Sequence, residues 1–164
     1  GCAIFSKIDL RHGYHQIELH PESRPITTFI THNGLYRYKR LVQGANSAFE
    51  EYQNIISQLF RNVKQVKNIA DDILIGGKDQ IEHDFNLNNC LQILQDNDLT
   101  AKLEKCEFSV PSLNFFGHCI SHSGIKPTED KVKAVKEFKE PTCSKEVSSF
   151  LGMITYLAKF IPNL

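Results

Sequence analysis

Two adjacent aspartates, Asp71 and Asp72, interrupt an apolar run of β type, Ile69-Ala70-Asp71-Asp72-Ile73-Leu74-Ile75. Flanking residues of this kind favour a buried strand. An isolated buried carboxylate costs on the order of several kcal/mol, so a stable fold pairs or neutralises it. Two neighbouring carboxylates repel and cannot pair with each other. A divalent cation resolves the conflict, because hard cations take carboxylate oxygens. Asp-Asp is also ordinary turn chemistry, solvated and inert, and the pair alone leaves both readings open. A third carboxylate, Asp9, follows the apolar segment Ile4-Phe5-Ser6-Lys7-Ile8. If that strand joins the 66–76 segment in one sheet, three carboxylates meet at one sheet end. Such a set can hold a pair of Mg²⁺ ions for in-line phosphoryl transfer. With Arg11, His12 and Gly13 following, a cap or turn is the simpler role for Asp9 on spacing alone.

The elements that must position these residues follow from pattern. Phe5–Leu10 reads as a strand, and Tyr14–Leu19 as an extended or partly helical segment. Thr27–Thr31 and Tyr36–Leu41 predict a hairpin across His32-Asn33-Gly34, an Asn-Gly turn signal. Asn46 and Ser47 are N-cap residues for a helix to about Phe60, with an apolar stripe of Ala48, Tyr52, Ile55, Ile56 and Leu59. Val66–Ala70 and Ile73–Gly76 predict a tight hairpin with Asp71-Asp72 at its tip. A helix of about four turns follows, with Ile81, Phe85, Leu91 and Leu94 as its apolar register. Phe108–Val110 and Leu113–Ile120 read as strands, Thr128–Phe138 as a short helix, and Ser144 as the cap of a last helix reaching about Phe160. The order is an α+β pattern with an antiparallel sheet, not a regular βα alternation.

At 164 residues the chain is one domain's worth, and no run of about 18 apolar residues suggests a membrane span. The start, Gly1-Cys2-Ala3-Ile4-Phe5, carries no Met or basic leader and enters directly into a strand, as expected of a segment cut from a longer chain. Five cysteines without a CxxC pair argue against a disulfide framework and for a reducing, intracellular setting. Net charge is zero, which weighs against strong nonspecific nucleic-acid binding by the whole chain. The halves differ: residues 1–70 hold nine Lys/Arg against five Asp/Glu, and residues 71–164 ten against fourteen. A basic half ahead of an acidic cluster suits a polyanion held near metal-binding carboxylates, though chance gives the same pattern.

Phe5-Ser6-Lys7-Ile8-Asp9-Leu10 with Gly13-Tyr14-His15-Gln16-Ile17 resembles motif A of reverse transcriptases from gypsy-type LTR retrotransposons. The resemblance continues in order. Lys39-Arg40-Leu41-Val42-Gln43-Gly44-Ala45-Asn46-Ser47-Ala48 resembles motif B, and Ile69-Ala70-Asp71-Asp72-Ile73-Leu74 motif C. Leu103-Glu104-Lys105-Cys106-Glu107-Phe108 is similar to motif D, and Phe115-Phe116-Gly117-His118 to motif E, the primer grip. Gly124-Ile125-Lys126-Pro127, and Ser149-Phe150-Leu151-Gly152 through Phe160-Ile161-Pro162, are similar to the family's passage into the thumb. Six motifs in order over residues 4–164 make a strong signal where any one would be weak.

The resemblance implies a reverse-transcriptase palm over 1–19 and 43–141, partial fingers over 20–42 and the start of a thumb over 142–164. It implies RNA-directed DNA polymerisation with Mg²⁺, or Mn²⁺, on an RNA or DNA template with its primer, using deoxynucleoside triphosphates. Asp9 and Asp71 would be the principal metal ligands and Asp72 a lesser one. Leu10, through the backbone after Asp9, would face the triphosphate, and Tyr14 would lie against the sugar and exclude a 2′-hydroxyl. Gln43 and Gly44 would contact the nucleotide, Gly allowing close backbone approach and the amide both donating and accepting. Lys105 is the nearest motif D lysine, with Lys102 competing. In the last helix Ser148, Gly152 and Tyr156 recur at i, i+4 and i+8, a stripe suited either to a primer–template minor groove or to packing on another helix.

Three departures from the family's pattern stand out, the first being Gln43 before Gly44, where motif B often has Phe. Ile69 occupies a place often held by Tyr or Phe, and Phe49 a place often held by Pro. Cys106, His118, Cys119 and His122 lack zinc-finger spacing, and His118 and Cys119 would point to opposite faces of a strand. The family further implies downstream RNase H and integrase domains, no membrane, and a cytoplasmic particle. The segment by itself is expected to be inactive, because upstream fingers strands and most of the thumb lie outside it. The alternative is a decayed or host-adopted retroelement segment that binds nucleic acid without catalysis. A metal-dependent nuclease would use similar carboxylates but has no use for Tyr14 or Gln43-Gly44.

Overall fold

The computed structural model describes residues 1–161. Its centre is a four-stranded antiparallel sheet in the order β4-β5-β1-β6, formed by β1 (Ile4–Asp9), β4 (Val66–Ile69), β5 (Asp72–Gly77) and β6 (Glu107–Val110). A two-stranded sheet joins β2 (Phe29–Thr31) to β3 (Gly34–Tyr36). A three-stranded meander joins β7 (Ser112–Phe115), β8 (His118–Ser121) and β9 (Gly124–Pro127). The helices are α1 (Gly13–Gln16), α2 (Ala48–Phe60), α3 (Gln80–Asp96), α4 (Glu129–Lys136) and α5 (Ser144–Leu157). Pro162, which ends the segment similar to the family's passage into the thumb, lies outside the described residues, as do 163 and 164.

Strand alternation separates the two faces of the central sheet. Ile8, Ile73 and Ile75 join Tyr52, Ile56 and Phe60 of α2 and Cys90 and Leu94 of α3 in the main core. Phe5 points the other way, into a second cluster with Leu113 and Phe115 of the meander. Asp9 belongs to that second face, directly opposite Asp72 in the β1–β5 ladder. Helices thus cover one face, the meander covers part of the other, and the carboxylate end of that other face is left open.

Four expectations about local structure are corrected. Ile69 pairs with Asp72, so the hairpin tip is Ala70-Asp71 and Asp72 already belongs to β5. Ala70 takes the left-handed backbone conformation (φ 49°), and Gln53 of α2 accepts its N–H at 2.8 Å. In α3 the residues facing the sheet are His83, Asn86, Cys90 and Leu94, while Ile81 and Phe85 are 84% and 65% exposed. The apolar periodicity is overridden because His83 and Asn86 have buried partners: Ser6 Oγ lies 2.8 Å from His83 Nε2, and Asn86 donates to the Gly76 carbonyl at 2.9 Å. Leu113–Ile120 is two strands, reversed at Phe116-Gly117, where both residues have positive φ (50° and 77°). The β2–β3 turn centres on His32-Asn33, with Gly34 (φ 119°) already paired to Thr31.

The start of α3 is fixed by a capping box: Asp79 accepts the Glu82 N–H at 2.9 Å, and Glu82 accepts the Lys78 N–H at 2.9 Å. α2 begins at Ala48 without a side-chain cap, and Phe49 takes the second helical position, half exposed. α3 lies so close to β5 that a Cβ on Gly77 would run into the backbone N and Cα of His83. Gly77→Ala is therefore expected to destabilise the chain by about 1–3 kcal/mol, read as a lower denaturant midpoint in urea unfolding.

Candidate active site

The open end of the sheet leads into a cavity of about 540 Å³. It is lined by Asp9, Tyr14, Gln43 and Asp71, and by Lys102 and Lys105 from the segment after α3. These residues come from four separate stretches of chain, and backbone hydrogen bonds hold the stretches together. Leu10 N–H donates to the Asp71 carbonyl, and Lys102 N–H to the Asp9 carbonyl, each at 2.8 Å. Arg11 N–H donates to the Thr100 carbonyl at 2.9 Å. Gln16 seals this junction, its amide donating to the Arg11 and Thr100 carbonyls (2.7 and 3.0 Å) and accepting the Thr100 N–H (2.6 Å).

The carboxylates are neighbours with different surroundings. Asp9 Oδ2 is 3.3 Å from Lys105 Nζ, so of the two competing lysines it is Lys105 that reaches it. Asp72 flanks the cavity rather than lining it. Burial raises its carboxyl above the ordinary range, the charges of Asp9 and Asp71 push the same way, and Lys7 and Lys105 oppose them. Asp71 Oδ1 is buried without a hydrogen-bond partner. No group of three His, Cys, Asp or Glu side chains among the described residues is drawn together as a ready-made metal site. The donor set nonetheless fits a hard divalent cation: all oxygen, mutually repelling, and with one buried oxygen unpartnered.

Tyr14 lines the cavity with its ring stacked on Tyr52 (centroids 4.7 Å, interplanar angle 20°). It is both half-buried core and cavity wall. Burial, followed by the charge of Asp71, pushes the Tyr52 phenol far above its usual range. Gln43 reaches the cavity, whereas Gly44, at φ 100°, sits beside it outside the lining. Leu10 contributes to the wall, but its N–H is already committed to Asp71 and its side chain is buried.

The Phe115–His118 turn is a second, separate feature. Phe115 is buried in the Phe5–Leu113 cluster, and Ile69 packs against the same cluster, which ties the carboxylate hairpin to this turn. Phe116 is exposed at the tip. Tyr156 of α5 donates to the Phe116 carbonyl at 3.3 Å and stacks on His118 (5.7 Å, 17°). Lys159 Nζ lies 2.9 Å from His118 Nε2, and burial, then this charge, lowers the imidazole's affinity for a proton. Of the stripe on α5, Tyr156 is therefore engaged with the turn, while Ser148 and Gly152 are exposed and an added Cβ on Gly152 would touch nothing. Pattern reading missed Tyr52, Gln53 and Gln16 as supports of the site; a hydroxyl in an otherwise apolar stripe was the signal for the first.

The fold is that of a reverse-transcriptase palm. A foamy viral protease–reverse transcriptase solved with double-stranded DNA superposes with a TM-score of 0.90 at 24% identity, covering 99% of this chain and 29% of that one. Another, solved with an RNA/DNA hybrid, gives 0.82 at 23% identity, over 94% of this chain and 21% of that one. The family model for reverse transcriptase (RNA-dependent DNA polymerase) matches residues 1–153, and the chain belongs to that family. It is 38% identical, over 99% of its length, to the retrovirus-related Pol polyprotein from transposon 297 of Drosophila melanogaster. It is 33% identical over 98% to that from transposon gypsy of the same organism, and 32% over 99% to the transposon Tf2-3 polyprotein of Schizosaccharomyces pombe. The chain spans 16%, 16% and 12% of those polyproteins. No helix among the described residues is long and apolar enough to cross a membrane.

The raised Asp72 carboxyl has a consequence for stability. A carboxyl held above its ordinary value binds its proton more tightly in the native than in the unfolded chain, so stability falls as the pH rises through that raised value. Asp72→Asn removes the loss. In chelator its melting temperature is expected to exceed that of the parent chain at neutral pH. The gap should close as the pH falls to the ordinary Asp range.

Proposed function

We propose that this chain is the catalytic palm of an RNA-directed DNA polymerase from a retrotransposon Pol polyprotein. It would add deoxynucleotides to a primer annealed to an RNA or DNA template. The observation that carries the reading is one cavity that gathers Asp9, Asp71, Tyr14, Gln43 and Lys105. Asp9 and Asp71, with Asp72 beside them, would hold Mg²⁺ or Mn²⁺ in a two-metal arrangement, which supplies Lewis acidity at the attacking and leaving oxygens when bound.

The chain's own residues do the rest. Lys105, 3.3 Å from Asp9, would bring positive charge to the developing pyrophosphate and could deliver a proton there. Tyr14, braced by Tyr52, presents a fixed ring on which the sugar rests and which leaves no room for a 2′-hydroxyl. Gln43 orients the nucleotide by donating and accepting at the cavity rim. The Phe116-Gly117 tip, held by Tyr156, would grip the primer, and the exposed Ser148 and Gly152 on the helix of Tyr156 would meet its backbone. RNase H and integrase domains would follow in the whole polyprotein.

Template-primed incorporation by the polypeptide that contains this chain, with Mg²⁺ or Mn²⁺, tests the reading directly. Asp71→Asn should lower the rate by about 10²–10³-fold, the equivalent of several kcal/mol of transition-state stabilisation. Absence of any extension by the parent polypeptide would sink the polymerase reading and favour a non-catalytic binding domain. Tyr14→Val is expected to admit ribonucleotides, measured as a rise in their incorporation relative to deoxynucleotides.

A further inference from the structure

Tyr52 sits in an apolar helical stripe, yet it carries a hydroxyl that is fully buried and without a hydrogen-bond partner. A buried phenol left unpaired is destabilising, and phenylalanine would fill the same space without that cost. The hydroxyl calls for an acceptor. Asp71 Oδ1 faces the same enclosed space, likewise buried and unpartnered. Both oxygens border the point where a Cβ on Gly13 would stand, so only glycine there leaves them room to meet. Asp71 also lines the cavity. Its carboxylate is thus divided, one oxygen sealed inward beside the phenol and the other left to the cavity.

We propose that the Tyr52 hydroxyl is a positioning donor to Asp71, holding Oδ1 so that the second carboxylate oxygen is presented to a divalent cation. The inference rests on the metal-site reading above and deepens it. Ligand carboxylates are oriented by outer hydrogen-bond partners, whose loss costs about 10–100-fold in metal affinity. The Tyr52 ring meanwhile braces Tyr14, so one residue of α2 sets the metal ligand and the sugar-side ring relative to each other.

Mn²⁺ titration followed by electron paramagnetic resonance, in the polypeptide that contains this chain, tests the proposal. The component of binding that Asp71→Asn removes defines the site. Tyr52→Phe is expected to weaken that component by about 10-fold or more, with a melting temperature in chelator equal to or above that of the parent. A lowered melting temperature with unchanged Mn²⁺ affinity would mean a purely structural tyrosine and overturn the inference. Unchanged affinity and unchanged stability would overturn it equally, leaving the metal site standing. If Asp71→Asn removes no Mn²⁺ binding, the metal-site reading falls and this inference falls with it.

Discussion

The antiparallel register between β1 and β5 is the constraint on which the rest of the site depends. It sets Asp9 opposite Asp72 and Ile8 opposite Ile73, so acids and core residues alternate cleanly between the two faces of the sheet. Side chains alternate with a period of two, and a slip by one residue would carry the acids under the helices and the isoleucines into the open. Burial of Ile8, Ile73 and Ile75 against α2 and α3 therefore protects the position of the carboxylates as much as it stabilises the fold. The hydrogen bond from Leu10 N–H to the Asp71 carbonyl extends the same register one step past the strand and fixes the turn.

Gathering like charges at one sheet end works against folding, and the surroundings offset it in several ways. Lys105 approaches Asp9, and Lys7 makes an ion pair with Glu107 at 2.8 Å on the same face. Asp72 holds its proton more tightly than usual, first because it is partly buried and then because Asp9 and Asp71 stand beside it. Strain is also local: Ala70 adopts a left-handed backbone at the tip, and Gln53 compensates by accepting its N–H. A site that stores repulsion and strain in this way is poised for a positive ligand, and two of its supports, Tyr52 and Gln53, stand on the helix α2.

The second face couples the carboxylates to the meander. Ile69 stands next to the carboxylate turn and packs into the cluster of Phe5, Leu113 and Phe115. The Phe115–His118 turn is in turn locked through Tyr156 of α5 and Lys159 just beyond it, so palm and following helix share one set of contacts. The β2–β3 hairpin is different. It leaves Ile30, Leu35 and Tyr36 largely exposed and contributes no buried residue to the core.

Local pattern was enough for the strand ending at Asp9, the helices α2, α4 and α5, the α+β class and the ordered motifs that place the chain among reverse transcriptases. These rest on hydrophobic periodicity, turn residues and short spacings, all written along the chain. Asp9 and Tyr14 came forward through the resemblance to the family's motifs, since spacing alone favoured a cap or turn for Asp9. Other features depended on residues brought together from far apart. The face that α3 buries was decided by Ser6, 77 residues from His83, and the choice of Lys105 over Lys102 by Asp9, 96 residues away. The Tyr52 hydroxyl and Asp71 Oδ1 border one space that Gly13, lacking a Cβ, leaves free. By itself the sequence determined which chemical groups the site could use and the elements that carry them. Only the tertiary structure decided which groups meet, because that depends on register and packing between segments that local pattern does not encode.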